Sequence, residues 1–303
     1  MEFAGKRLKG LIAATFTPMT SNSDINLPVI KQYVDYLVQK QHVRNIFVNG
    51  TTGEGMSLSV QERKCLAEEW VKQARGKMDN VIIHVGCLSL SDSKDLAAHA
   101  ASCGADAISI VCPSFLKPSS LDALVLYMKE VAFAAPSLPF YYYHIPRLTG
   151  TTYQICELLR KAKENIPSFR GVKFTDVNLM DFGLCVSQYK EFDCLYGVDE
   201  VIFNFCFFGP ANEQIFTKCS REFYRFLVND RLYHDNVKVN MKCTCFFISY
   251  SFILTGWGLP EFKDIMSQIS GIPLGPPRLP LYSSVKSDHH DSIRTKMLKL
   301  DLI

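Results

Sequence analysis

Apolar and polar positions along this chain switch repeatedly between two rhythms. Short runs rich in β-branched and aromatic residues alternate with longer stretches in which apolar residues recur every three or four positions. Gly10 to Thr15 predicts a first strand, Asn45 to Asn49 a second, Val81 to Val85 a third and Ala107 to Cys112 a fourth. Pro139 to Ile145 predicts a fifth, Phe169 to Asp176 a sixth and Phe192 to Val198 a seventh. Between them lie predicted helices over Leu27 to Gln41, Ser59 to Lys77, Ser91 to Cys103, Leu121 to Ala134, Tyr153 to Lys163 and Leu179 to Gln188. In the first helix Val29, Ile30, Tyr33, Val34 and Leu37 share one face. Strands alternating with helices of this size imply βαβ units and a parallel sheet. Seven or eight such units without a composition break point to a closed (β/α)₈ barrel, an α/β fold. We expect one domain, with the barrel over residues 8–225 or so and a helical C-terminal extension over about 226–303. Thr15-Phe16-Thr17-Pro18-Met19 after the first strand is not the glycine-rich turn that a dinucleotide-binding sheet needs.

The sixth strand contains a lysine, Lys173, inside Phe169-Arg170-Gly171-Val172-Lys173-Phe174-Thr175-Asp176. Burial disfavours the charged form of a lysine, and a neutral amine is a nucleophile towards carbonyl carbon. A lysine at a strand end that reaches water or pairs with an acid is the commoner arrangement. In a barrel of this class the functional side chains come from the C-terminal ends of the strands. Three further stretches sit there. Asn49-Gly50-Thr51-Thr52-Gly53-Glu54 follows the second strand; its two hydroxyls and backbone amides suit a carboxylate, or equally it is a plain glycine turn with a capping threonine. Tyr143, in Tyr141-Tyr142-Tyr143-His144-Ile145-Pro146, ends the fifth; it belongs either to an aromatic core stripe or, as a phenol near a lysine, to the chemistry as a proton carrier. Tyr141 and Tyr142 read as core, and His144 as a hydrogen-bonded structural histidine. Gly197-Val198-Asp199-Glu200 ends the seventh; its acids suit sugar hydroxyls, or equally the cap of a following helix.

Composition narrows the classes without choosing among them. The chain has 303 residues, 48% hydrophobic and 21% charged, an ordinary globular balance. The net charge of +3 and the absence of a basic cluster do not suggest nucleic acid. Met1 to Arg7 lacks an apolar core segment, so no secretory signal is read there. The longest apolar run, near Phe246 to Trp257, is too short to span a bilayer. Most of the 11 cysteines, such as Cys65, Cys112 and Cys156, lie within apolar patterns, which suits reduced thiols and a cytoplasmic location. Cys243-Thr244-Cys245 has no second pair and no histidine at ligand spacing, so we expect no metal.

Gly50-Thr51-Thr52-Gly53-Glu54, Tyr143-His144-Ile145-Pro146 and Gly171-Val172-Lys173 together resemble, in order and spacing, the pyruvate-dependent class I aldolase family that includes N-acetylneuraminate lyase and dihydrodipicolinate synthase. The resemblance runs from about Gly10 to Glu200 and resumes at Gly256-Trp257-Gly258 and over Ser270 to Pro280. It implies a Schiff base on Lys173, a proton shuttle in Tyr143, and a substrate carboxylate held by Thr51 and Thr52. It places Thr175, Gly197, Asp199 and Glu200 against the sugar-derived part of the substrate. It further implies a lyase that cleaves sialic acid to N-acetylmannosamine and pyruvate, without metal or organic cofactor, as a homotetramer. The synthases carry an arginine two residues after the proline of the tyrosine motif, where this chain has Leu148, with Arg147 one step early. They also use a tyrosine after the fourth strand, where this chain has Pro113-Ser114-Phe115. The segment from about residue 201 to 245 departs from the family: by position, Ile215 and Phe216 replace a Gly-Ser pair at the end of an eighth strand expected over Asn212 to Thr217. A barrel that binds ligand or assembles with active subunits without catalysis therefore stays open beside the lyase and the synthase.

Overall fold

The computed structural model describes residues 7–198 and 258–282. Asp199, Glu200, the expected eighth strand with Ile215 and Phe216, the divergent segment 201–245 and the Cys243–Cys245 pair lie outside the described residues. Seven strands form one parallel sheet in consecutive order. They are β1 (Ile12–Ala14), β2 (Asn45–Val48), β3 (Asn80–His84), β4 (Ala107–Val111), β5 (Phe140–His144), β6 (Phe169–Phe174) and β7 (Asp193–Tyr196). The helices are α1 (Val29–Gln39), α2 (Val60–Ala74), α3 (Leu90–Cys103), α4 (Leu121–Phe133), α5 (Pro146–Thr149), α6 (Ile155–Asn165) and α7 (Leu179–Gln188). A further helix, α8 (Leu259–Ser270), belongs to the C-terminal part. Among the described residues no helix is long and apolar enough to cross a membrane.

The sheet curls round on itself. Leu8 and Ile12 at one end and Leu195 of β7 at the other pack against the same inner cluster of Phe47, Ile82, Ala107, Val111, Tyr141, Tyr143 and Ile145. The Leu8 backbone N–H also donates to the Asp193 carboxylate at the start of β7. This winding is that of a (β/α)₈ barrel, with the small cluster inside and a larger core between strands and helices. Strand alternation divides β5 between the two: Tyr141 and Tyr143 face in, while Tyr142 joins the outer core.

Several helices begin at serine caps. Ser59 and Glu62 form a reciprocal capping box at α2, and Ser89 and Ser120 cap α3 and α4. Gly104 closes α3 at a φ of 87°, where a side chain would be strained. The buried face of α1 is Val29, Ile30, Tyr33, Val34 and Leu37, as its periodicity predicts. The short helix α5, which periodicity does not reveal, starts at Pro146 and stops at Gly150, a left-handed residue.

Candidate active site

The site is set by a register shift. Between Phe140 and Tyr141 the pairing of β5 with β6 skips one residue, so Phe140 faces Phe169 while Tyr141 faces Gly171. The extra residue, Arg170, is a bulge that places Lys173 directly across from Tyr143, with Leu195 of β7 on its other side. Gly171 permits the close approach: a Cβ there would lie 2.0 Å from the Asp193 carbonyl oxygen.

Lys173 is partly buried, and its Nζ lies 3.9 Å from the centroid of the Tyr143 ring and 4.5 Å from that of Phe47. Two ring faces thus fix the amine at the mouth of the barrel. The Tyr143 hydroxyl is 3.2 Å from Thr51 Oγ1. Burial works to raise the Tyr143 pKa. The positive charge of Lys173 and the Thr51 hydrogen bond outweigh it and hold the phenol below its ordinary value. The Thr175 hydroxyl adds to this lowering without reaching hydrogen-bond geometry.

Thr175 follows β6, and its backbone N–H donates to the His144 carbonyl at 2.8 Å. Its Oγ1 is buried without a hydrogen-bond partner among the described residues. Gly197 stands beside it: a Cβ there would meet Thr175 Oγ1 at 2.3 Å and Lys173 Cε at 3.5 Å. The glycine is therefore required by space at the lysine. Lys173, Tyr143, Thr51, Thr175 and Gly197 are brought to one end of the barrel. Thr52 follows Thr51 in the same turn and is partly buried. His144 faces the outer core between the rings of Tyr142 and Phe174, with Nε2 3.8 Å from Asp176 Oδ2, in keeping with a structural role.

The turn that carries Thr51 and Thr52 is braced more heavily than a glycine loop needs. Asn49 and Glu54 adopt left-handed backbone, φ 60° and 56°. Asn49 Nδ2 donates to the Arg63 carbonyl at 3.0 Å, and Thr17 Oγ1 donates to the Gly53 carbonyl at 2.6 Å. Arg63 is buried in α2 and donates to the carbonyls of His84 and Gly86. His84 Nδ1 lies 3.1 Å from the Asn49 carbonyl and 3.4 Å from Arg63 Nη2. Burial first, then the charges of Arg63 and Lys173, press the His84 pKa well below its ordinary value and keep the ring neutral. The apolar and motif patterns of the sequence do not single out Arg63 or His84. Helix phase holds the signal for Arg63, since it shares the apolar face of α2 with Leu66, Ala67 and Trp70.

A partly buried lysine ε-amine on a barrel strand, a phenol of lowered pKa and a hydroxyl paired with that phenol can together form and turn over an imine with a small 2-oxo acid. Among the described residues no cluster could hold a metal ion.

Comparison with known proteins agrees in kind. The chain is 83% identical over its full length to the N-acetylneuraminate lyase of Xenopus tropicalis, which it also covers completely. It is 47% identical to the N-acetylneuraminate lyase of Homo sapiens, over 100% of this chain and 96% of that one. The solved structure of N-acetylneuraminate lyase from Proteus mirabilis superimposes with a TM-score of 0.81 at 31% identity, over 98% of this chain and 100% of that one. The model of the Dihydrodipicolinate synthetase family matches residues 7–218. By its motifs, its barrel and this match, the chain belongs to the dihydrodipicolinate synthetase family.

Proposed function

We propose that this chain is a Schiff-base lyase that cleaves sialic acid to N-acetylmannosamine and pyruvate. The observation that carries the reading is the Lys173 amine set against the Tyr143 ring, with the Tyr143 hydroxyl joined to Thr51. The named activity of relatives at 83% and 47% identity over the full chain supports it.

In this reading the Lys173 amine adds to the C2 ketone of the open-chain sugar acid, and water leaves to give an iminium. Thr51 and Thr52 hold the C1 carboxylate. Tyr143, as phenolate, takes the proton of the C4 hydroxyl. The oxygen's electrons form the aldehyde, the C3–C4 bond breaks, and its electron pair moves through C3–C2 to the iminium nitrogen. N-acetylmannosamine departs. Tyr143 returns its proton to C3 of the enamine, and water hydrolyses the new iminium to pyruvate and free Lys173. Thr175, Gly197, Asp199 and Glu200 are assigned to the hydroxyls of the sugar. The site needs no cofactor for these steps. We further propose a cytoplasmic homotetramer. All seven described cysteines are free thiols, and exposed Phe115, Leu116, Val177 and Met180 offer apolar surface for a second copy.

The test is pyruvate release from N-acetylneuraminate, followed by coupling to lactate dehydrogenase. Steady release is expected. Leu148 is exposed and uncharged, so it offers nothing to a second carboxylate. Aspartate semialdehyde with pyruvate should therefore give no condensation. Failure to release pyruvate, or efficient condensation of that pair, overturns the reading.

Gly197→Ala provides a sharper local check. The new methyl collides with Thr175 and crowds the Lys173 stem. Cleavage should fall roughly 10- to 10²-fold, the usual scale of an ångström's misplacement. Thermal unfolding should move little, because the clash can be relieved at the barrel mouth. Unchanged cleavage would separate Gly197 from the site.

A further inference from the structure

The carboxylate-binding turn is locked by residues more than two hundred positions away. Glu54 sits in that turn with a side chain fully shielded from solvent, as is that of Lys263 in α8. Lys263 Nζ donates to Glu54 Oε1 at 2.8 Å and to the Pro276 carbonyl at 3.0 Å. The Arg278 backbone N–H donates to Glu54 Oε2 at 2.8 Å. The Arg278 guanidinium then reaches across the same face. It meets Glu62 Oε1 and Oε2 at 2.7 and 2.8 Å, the Ser57 carbonyl at 3.2 Å and the Ser23 carbonyl at 2.6 Å. The strap between them crosses the lead-in to α1: Met19 N–H donates to the Leu274 carbonyl, and a Cβ at Gly275 would lie 2.0 Å from the Met19 carbonyl oxygen.

A buried ion pair is seldom the most stable filling of a core, since well-packed apolar side chains often do as well. What this pair does provide is fixed geometry. Both carboxylate oxygens of Glu54 are held, and its backbone is kept in the left-handed region. The Glu54 N–H in turn donates to the Thr51 carbonyl at 3.0 Å, and the Gly55 N–H to that of Gly50 at 3.0 Å. Thr51 is the residue whose hydroxyl meets Tyr143. A displacement of Glu54 therefore passes through one hydrogen bond to the residue whose hydroxyl meets Tyr143.

We infer that Lys263 and Arg278 are positioning residues that act through Glu54 to hold Thr51 and Thr52 in register with Lys173, and so set the preference for a ketone bearing a carboxylate. The inference rests on the reading of Thr51 and Thr52 as the carboxylate site. It concerns affinity for the 2-oxo acid rather than the bond-breaking step.

The test compares two ketones by borohydride trapping on Lys173: pyruvate, and hydroxyacetone, which lacks the carboxylate. Lys263→Met alone strands a buried acid and threatens folding, so it is combined with Glu54→Gln to give a charge-free pair. Glu54→Gln alone is the second arm, as it keeps an oxygen for the Arg278 N–H. Circular dichroism and a cooperative melt establish that each variant is folded. The pyruvate concentration for half-maximal trapping should rise about tenfold or more in the double variant and less in the single one, with maximal trapping nearly unchanged, the pattern of lost ground-state binding. Trapping of hydroxyacetone should stay within about twofold of the unaltered protein, since only the carboxylate contact is disturbed. Equal losses for both ketones, or no loss for either, overturn the inference. Absence of a pyruvate adduct in the unaltered protein would instead remove the proposed function on which it stands.

Discussion

Lys173→Met should abolish cleavage of sialic acid and borohydride trapping of pyruvate together. Methionine keeps the apolar stem that lies between β5 and β7 but has no amine to condense with a ketone. Losing the nucleophile of a covalent mechanism costs roughly 10⁴-fold or more in turnover. The fold should tolerate the change, because the Lys173 amine rests on two aromatic faces that a thioether also suits. In the unaltered protein, peptide mapping after trapping should place the reduced pyruvyl group on Lys173. An unmodified Lys173 peptide from folded, pyruvate-treated protein would be decisive against the Schiff base. So would a Lys173→Met protein that still releases pyruvate. The variant has one further consequence. With the lysine charge gone, burial opposes ionisation of Tyr143 with less to offset it, so its phenol should titrate at higher pH. Difference absorbance between Lys173→Met and the Lys173→Met, Tyr143→Phe pair isolates that one phenol.

Much of this arrangement is written locally. The strands are apolar runs set between amphipathic helices, and they lie in the sheet in the order in which they occur in the chain. Alternation along β5 separates inward Tyr143 from outward Tyr142, and the motif around Lys173 marks the sixth strand. What was not legible is long-range. Glu54 reads as part of a ligand loop, yet its carboxylate is turned away to Lys263 and the Arg278 backbone. Nothing near position 54 announces partners that lie beyond residue 258. Helix phase gives a partial hint, since Lys263 lies on the buried side of α8 with Met266. The bulge at Arg170 was also hidden, because one skipped pairing leaves no trace in composition. Asp181 is similar: it caps the N-terminus of α6 from α7, donated to by the N–H groups of Ile155 and Cys156. A cap supplied from another helix cannot be read from the residues beside the cap.

Tyr143→Phe should separate the two halves of the reaction. The ring remains, so Phe47 and the Lys173 Nζ keep their aromatic contacts. Pyruvate trapping on Lys173 should therefore persist. Cleavage should slow by about 10²-fold or more, the scale for a lost acid–base group. The pH dependence carries the sign. Tyr143 must be ionised to accept the C4 hydroxyl proton, and its phenol lies below the ordinary value. The cleavage rate of the unaltered protein should fall as pH drops through that pKa, and the residual rate of Tyr143→Phe should lack this limb. Thr51→Val offers the complementary case. It removes the hydroxyl 3.2 Å from the phenol, which is one of the groups that hold the pKa down. The acid limb should then move to higher pH while Tyr143 still serves as base. A Tyr143→Phe protein that cleaves at the full rate, or one that keeps the same acid limb, would assign the proton transfer elsewhere. It would leave Tyr143 as a packing residue beneath the amine.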